Sequence, residues 1–361
     1  MEHEENSPSK PIEPQLVYLD EFLVNRARVE NGLSAKELAK KAGISYRTLN
    51  SISSRDGMFP SSANLIAKAV RKNVLELLAP YDPRYMAPAF NDGPWAGSAE
   101  WSASGYLEQG RLAPNGLYYI VCKMQHRHSP TKLGRGKFYH LSWLPPATRD
   151  ALQEKLSRHA EVSARIGSHR HLAVNHTSTP VRDGHGWWVI DEWVGERTLA
   201  DHLQSGPFPP DLLPRLLHDI ALGLQALHTA QIVARELAPA RILISDRDGH
   251  AVLTDFELAK LLDGSPSVSS EWPEDTYRAP EVDGGSATVQ SDLYSLGQVV
   301  LAAIGHETTA GLEHTAAALA GAGVPQRLAK LILTCLEPVP ARRPATLLPL
   351  LTELSRWSEK R

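Results

Sequence analysis

Between residues 106 and 200 the apolar residues gather in short runs, LYYIVCKM, KFYHLSWL and GWWVIDEWV, with one helical pattern at about 147–166 among them. Beyond residue 210 the apolar spacing is helical, broken by two strand-like pieces, ILI and AVLT. Strands first and helices after restrict this part of the chain to an α+β domain, a sheet-rich lobe followed by a helical one. A separate helical pattern begins at Leu16, and no repeat relates the two regions.

At 361 residues the chain is long enough for two or three domains. Residues 1–15 hold three prolines and no apolar periodicity and read as a disordered tail. Residues 16–80 form a small helical domain, the Pro/Gly/Ser-rich 81–105 a linker, and 106–361 the large domain. Trp95 and Trp101, within the linker, are expected to dock on a neighbour. No apolar run approaches the ~20 residues of a membrane span, and the acidic N-terminus lacks the apolar core of a secretory signal. Two cysteines, Cys122 and Cys335, make no disulfide framework. A cytoplasmic, bacterial protein with no membrane partner is the expectation.

The net charge of −3 is uneven: residues 16–80 carry ten Lys/Arg against six Asp/Glu. In this segment Ser34 and Glu37 have the spacing of a capping box. Gly43 suits a left-handed helix end, Ser45 caps a third helix with Leu49 and Ile52 inward, and a fourth carries Leu65, Ile66 and Ala69. GLSAKELAKKAGISYRTLNSI resembles the helix-turn-helix of the Cro/C1-type (XRE) repressors. That resemblance implies double-stranded DNA as partner and a homodimer. It places Ser45, Tyr46, Arg47 and Asn50 toward base edges or phosphates and Arg26, Arg28 and Lys36 toward phosphates.

IVARELAPARILI, TDFELAK, TYRAPE, SDLYSLGQVVLAAIG and PVPARRPAT follow one another in the order of the protein kinase motifs. Residues 106–357 thereby resemble a bilobal Ser/Thr protein kinase. The resemblance implies structural roles for Arg235, for Asp292 under the 234–236 loop, and for a Glu281–Arg343 ion pair. Several positions depart from it: Glu236 replaces the catalytic Asp, Ala238 the phosphate Lys, Arg241 the metal-binding Asn and Glu257 the Gly after Asp255. The strand register sets Ser142 at the phosphate-binding Lys, Glu161 at its partner and Asp191 beside the adenine pocket. The Gly-rich loop falls at GRLAPNG (110–116), and LGRGKF (133–138) reads as a hairpin turn.

These losses read as a pseudokinase with no catalytic residue and no cofactor expected, Mg-ATP or a metal at Asp255 being the exception. The expected function is therefore a DNA-binding transcription regulator tuned by a protein or small-molecule effector. The alternatives are a residual Ser/Thr kinase using Glu236 and Asp255, or a signalling scaffold. CKMQHRH (122–128) and HRH (169–171) have loosely metal-like spacing but no partner motif, and read as surface histidines.

Overall fold

A computed structural model describes residues 17–54, 57–72, 74–78, 98, 100–112, 118–141, 146–181, 186–235, 237–256, 259–261, 277–284, 287–306 and 312–359. The chain divides into two compact units, the first comprising 1–89 with 110–119 and 270–273, the second the remainder. Among the described residues no helix is long and apolar enough to cross a membrane.

The first unit packs α1 (Glu21–Glu30), α2 (Ala35–Ala42), α3 (Tyr46–Ser54) and α4 (Pro60–Ala69). Ser34 and Glu37 close both halves of a capping box on α2, and Gly43 ends it in the left-handed region at φ 69°. Leu38, Leu49, Ile52 and Ile66 are buried, whereas Leu65 on α4 is 43% exposed.

Five strands, β1 (Trp101–Leu112), β2 (Tyr118–His126), β3 (Ser129–His140), β4 (Asn175–Val181) and β5 (Gly186–Glu192), form one sheet in the order β1-β2-β3-β5-β4. The long helix α5 (Pro146–Ile166) lies between β3 and β4 in sequence. The strand β1 starts inside the segment assigned to the linker. Its first residue, Trp101, is only 2% exposed, stacks on His176 at 5.5 Å and meets the edge of His126 at 5.1 Å. Trp95 lies outside the described residues.

LGRGKF is not a turn. The β2–β3 turn is at Arg127–His128, and Gly134 and Gly136 sit inside β3. A Cβ on Gly136 would come within 2.5 Å of Met124 Cγ and 2.9 Å of Trp188 Cζ3. The glycines therefore admit a bulky neighbour rather than reverse the chain.

The helical part follows: α6 (Leu199–Leu203), α7 (Leu213–Thr229), β6 (Ile232–Val233), β7 (Ile242–Ile244), β8 (Ala251–Leu253), β9 (Lys260–Leu261), α8 (Val289–Ala303), α9 (Leu312–Gly321), α10 (Gln326–Cys335) and α11 (Leu348–Ser358). Its core joins Leu217, Ile220 and Leu224 of α7 to Leu293, Leu296 and Val300 of α8 and to Ile242 and Leu253. Arg343 is fully buried, and all five of its N–H groups are used. They reach Glu281 Oε1 at 2.6 Å, Glu281 Oε2 at 3.0 Å, and the carbonyls of Gln290, Glu337 and Pro338. Burial pushes the Glu281 carboxyl up, but bonds from Arg343 and Ser291 outweigh it and hold it below the usual carboxylate range.

Replacing Gly136 with Val should destabilise the second unit by about 1–3 kcal/mol through overpacking. Arg343→Met, which leaves Glu281 without its cation, should cost about 3–5 kcal/mol. Thermal unfolding checks both, and a change of less than ~0.5 kcal/mol at Arg343 would contradict the burial argument.

Candidate active site

A buried carboxylate at the start of α8 builds the floor of the site. Asp292 accepts the backbone N–H of Ala234 and of Arg235, each at 2.9 Å, and the His228 Nε2 proton at 2.8 Å. Arg235 is buried and held at φ 69°, a conformation that non-glycine residues rarely adopt. The two amides fixed by Asp292 stabilise that strained turn. The following residues run to the short helical turn Pro239–Arg241, where the Arg241 carbonyl accepts the Thr254 N–H at 3.1 Å. This bond sets the 238–241 segment beside Asp255. Ala238 is buried there, and Glu236 and Glu257 lie outside the described residues.

Asp255 is likewise left-handed, at φ 66°. Its Oδ2 lies 2.8 Å from Nζ of Lys137, and about a fifth of its side chain, 23%, is exposed. Burial pushes the carboxyl up, but Lys137, Arg241 and Arg135 together outweigh it and hold its pKa at about 2. The carboxylate is thus charged at any physiological pH, as a divalent-cation ligand must be.

Lys137 sits in the middle of β3, paired across to Val189 of β5, whereas β3 ends at His140 and Ser142 lies outside the described residues. The sheet itself brings an ammonium to Asp255 from Lys137, a residue the sequence reading passed over. Of the segment 110–116, residues 110–112 close β1 and the rest lies outside the described residues.

The assignment of Glu161 is corrected. It is exposed on α5 and pairs with Arg165 one turn on, at 2.9 Å. The inward face carries Leu156, His159 and Val162 instead, two residues being about 200° around a helix. His159 is fully buried and packs on the Phe256 ring at 5.7 Å. Its Nδ1 accepts the Phe256 N–H at 3.1 Å, so its Nε2 carries the proton given to Asp191 Oδ1 at 2.8 Å. Asn175 donates to the same oxygen at 2.9 Å and Thr254 to the other at 3.3 Å. Nothing in the sequence pattern marked His159, since a lone histidine on a helix has no distinguishing neighbours. Every donor and acceptor of this buried set has a partner, which lets it fix α5, β5 and the 254–256 segment as one piece.

The residues assigned to DNA lie in the first unit. Lys36, Ser45, Tyr46, Arg47 and Asn50 are exposed on α2 and α3 or the turn between them. Two of the three phosphate candidates are engaged within the unit: Arg26 pairs with Glu30 at 3.0 Å, and Arg28 donates to the Leu33 carbonyl at 2.8 Å.

The protein kinase domain family model matches residues 147–353, more than half of the chain; it begins within α5, so Lys137 precedes it. Among curated proteins, serine/threonine-protein kinase PknL of Mycobacterium tuberculosis is 29% identical over 201 residues, 55% of this chain and 48% of its own length. Serine/threonine-protein kinases PknA of Corynebacterium glutamicum is 32% identical over 168 residues, 44% of this chain and 34% of its own. Serine/threonine-protein kinase C of Synechocystis sp. is 29% identical over 154 residues, 40% and 29% respectively. The chain thus spans less than half the length of these relatives. These matches overturn the DNA-binding transcription regulator: the relatives are named as kinases, and none of these matches carries a DNA-binding assignment. They likewise give no support to pseudokinase status. With its sheet order and the placement of Lys137, Asp255 and Asp292 described, the chain belongs to the protein kinase domain family.

Proposed function

We propose that the second unit binds Mg-ATP and transfers its γ-phosphoryl group to a Ser or Thr hydroxyl of a protein. The observation that carries this reading is the Lys137–Asp255 pair, an ammonium and an ionised carboxylate 2.8 Å apart and still partly accessible. Asp255 supplies one oxygen ligand to the metal, and Lys137 turns its N–H donors to phosphate oxygens, as phosphoryl transfer requires. Arg241, whose charge already acts on Asp255, adds a fixed cation on the same side. Glu236 takes the proton of the attacking hydroxyl. The new bond joins that oxygen to phosphorus as the bond to the ADP oxygen breaks.

Turnover is slow in this reading. A glutamate base is one methylene longer than aspartate, and ~1 Å of misplacement costs about 100-fold. Ala238 contributes no charge to the transferring group, so returning an ammonium with Ala238→Lys should raise the rate by about 10-fold or more.

Labelled γ-phosphate from Mg-ATP should appear on Ser or Thr of the protein itself or of an added basic protein. It should fall to background in Asp255→Asn. No incorporation by wild type with either Mg2+ or Mn2+ would sink the proposal. Because the Asp255 pKa is lowered to about 2 in the fold, its contribution to stability is complete above about pH 4 and is lost as pH falls toward 2. The stability advantage of wild type over Asp255→Asn should therefore be full above about pH 4 and shrink as pH falls toward 2, and the variant should acid-unfold at higher pH than wild type.

A further inference from the structure

The second histidine of HRH does not lie on the surface. His171 follows α5 and is buried, its side chain only 6% exposed, beside the equally buried Asp219 of α7 and the half-buried His250 that precedes β8. The ligand atoms of these three side chains all lie within 4.8 Å of one another.

The hydrogen bonds assign the protons. His171 Nδ1 meets the Ala251 carbonyl at 3.0 Å, an acceptor only, so Nδ1 carries the hydrogen and Nε2 presents a lone pair. That lone pair faces Asp219 Oδ1 at 3.8 Å, too far for a hydrogen bond. Asp219 Oδ2 is served by His250 Nδ1 at 2.8 Å and the Ala251 N–H at 3.2 Å. Oδ1 has no hydrogen-bond donor among the described residues. An imidazole nitrogen and a carboxylate oxygen thus face each other in a largely buried place with no hydrogen bond between them. Such an arrangement is suited to a cation held between the two.

We infer that His171 Nε2, Asp219 Oδ1 and His250 Nδ1 form a site for one divalent transition metal of the zinc class. Two imidazoles and a carboxylate suit that class of ion and not magnesium or calcium. Tetrahedral zinc bonds place neighbouring ligand atoms about 3.3–3.4 Å apart, so the 3.8 Å gap closes by about half an ångström. The His171 Nδ1–H bond to a backbone carbonyl is the outer contact that orients a metal-bound imidazole. For His250 to bind, its proton moves from Nδ1 to Nε2, and Asp248 Oδ2, now 3.7 Å from that nitrogen, closes by a few tenths of an ångström to accept it. The Arg170 guanidinium, which now donates to that Nε2, keeps its bond to Asp248 at 2.9 Å. The ion joins three segments far apart in sequence and lies outside the Lys137–Asp255 site, so it is a structural staple and independent of phosphoryl transfer.

The test is calorimetric titration of the chelator-treated full chain with Zn2+ alone, with Co2+ as a spectroscopic substitute and thermal unfolding alongside. The expected result is one tight equivalent, a tetrahedral Co2+ absorption band and a rise of several degrees in Tm. His171→Asn keeps a donor for the Ala251 carbonyl but loses the metal-facing nitrogen. It should weaken binding at least 10-fold at an unchanged metal-free Tm. If that variant is itself destabilised, His250→Gln at the more exposed ligand must show the same loss. Absence of a tight equivalent in wild type overturns the inference. So does undiminished binding in these variants, which would assign the uptake to other histidines of the 15 in the chain.

Discussion

The second unit is organised around a lysine and an aspartate from distant parts of the chain, brought to 2.8 Å by two backbones that have little freedom to move. Lys137 is fixed because β3 is paired residue by residue with β5 and because Gly136 leaves no room to shift past Met124 and Trp188. Asp255 is fixed because the residues on either side are tied: Thr254 to Asp191 and to the Arg241 carbonyl, Phe256 to His159. The pair holds one charge of each sign in a partly buried cleft, where neither would be tolerated alone.

The left-handed conformations of Arg235 and Asp255 follow from the same logic. Each is a local cost of about 1–3 kcal/mol that persists only where surroundings over-determine it. Asp292 does so for the first, through two amides and a histidine, and the 254–256 bonds do so for the second. The Glu281–Arg343 pair, with every guanidinium donor used, anchors the segment ahead of α8 and so the helix that carries Asp292. Strain at the site is thus supported by buried charge beneath it.

How much of this was legible in the sequence depended on what kind of residue carried the position. Asp255, Asp292, Glu281 and Arg343 stand in motifs whose order and spacing are specific, and their side chains meet buried partners through the backbone they define. The sheet was harder to read. LGRGKF has the composition of a turn, and only the side chains of Met124 and Trp188 on the neighbouring strands reveal why glycine is needed. Lys137, inside that same strand, drew no attention in the sequence because its partner Asp255 lies far along the chain. On α5, a charged Glu161 drew the assignment, whereas the inward position belongs to His159, whose role depends on Asp191 and Phe256 from elsewhere in the chain. In the first unit, local capping at Ser34 and Gly43 was readable, but capping defines helices and not what they bind.

The most direct measurement is a calorimetric titration of the full chain with Mg-ATP, comparing wild type with Lys137→Met. The account predicts saturable binding by wild type and a loss of at least 10-fold when the ammonium is removed. Equal affinity in the two proteins would show that Lys137 does not face the phosphates, and the Lys137–Asp255 pair would then be a structural contact without a nucleotide.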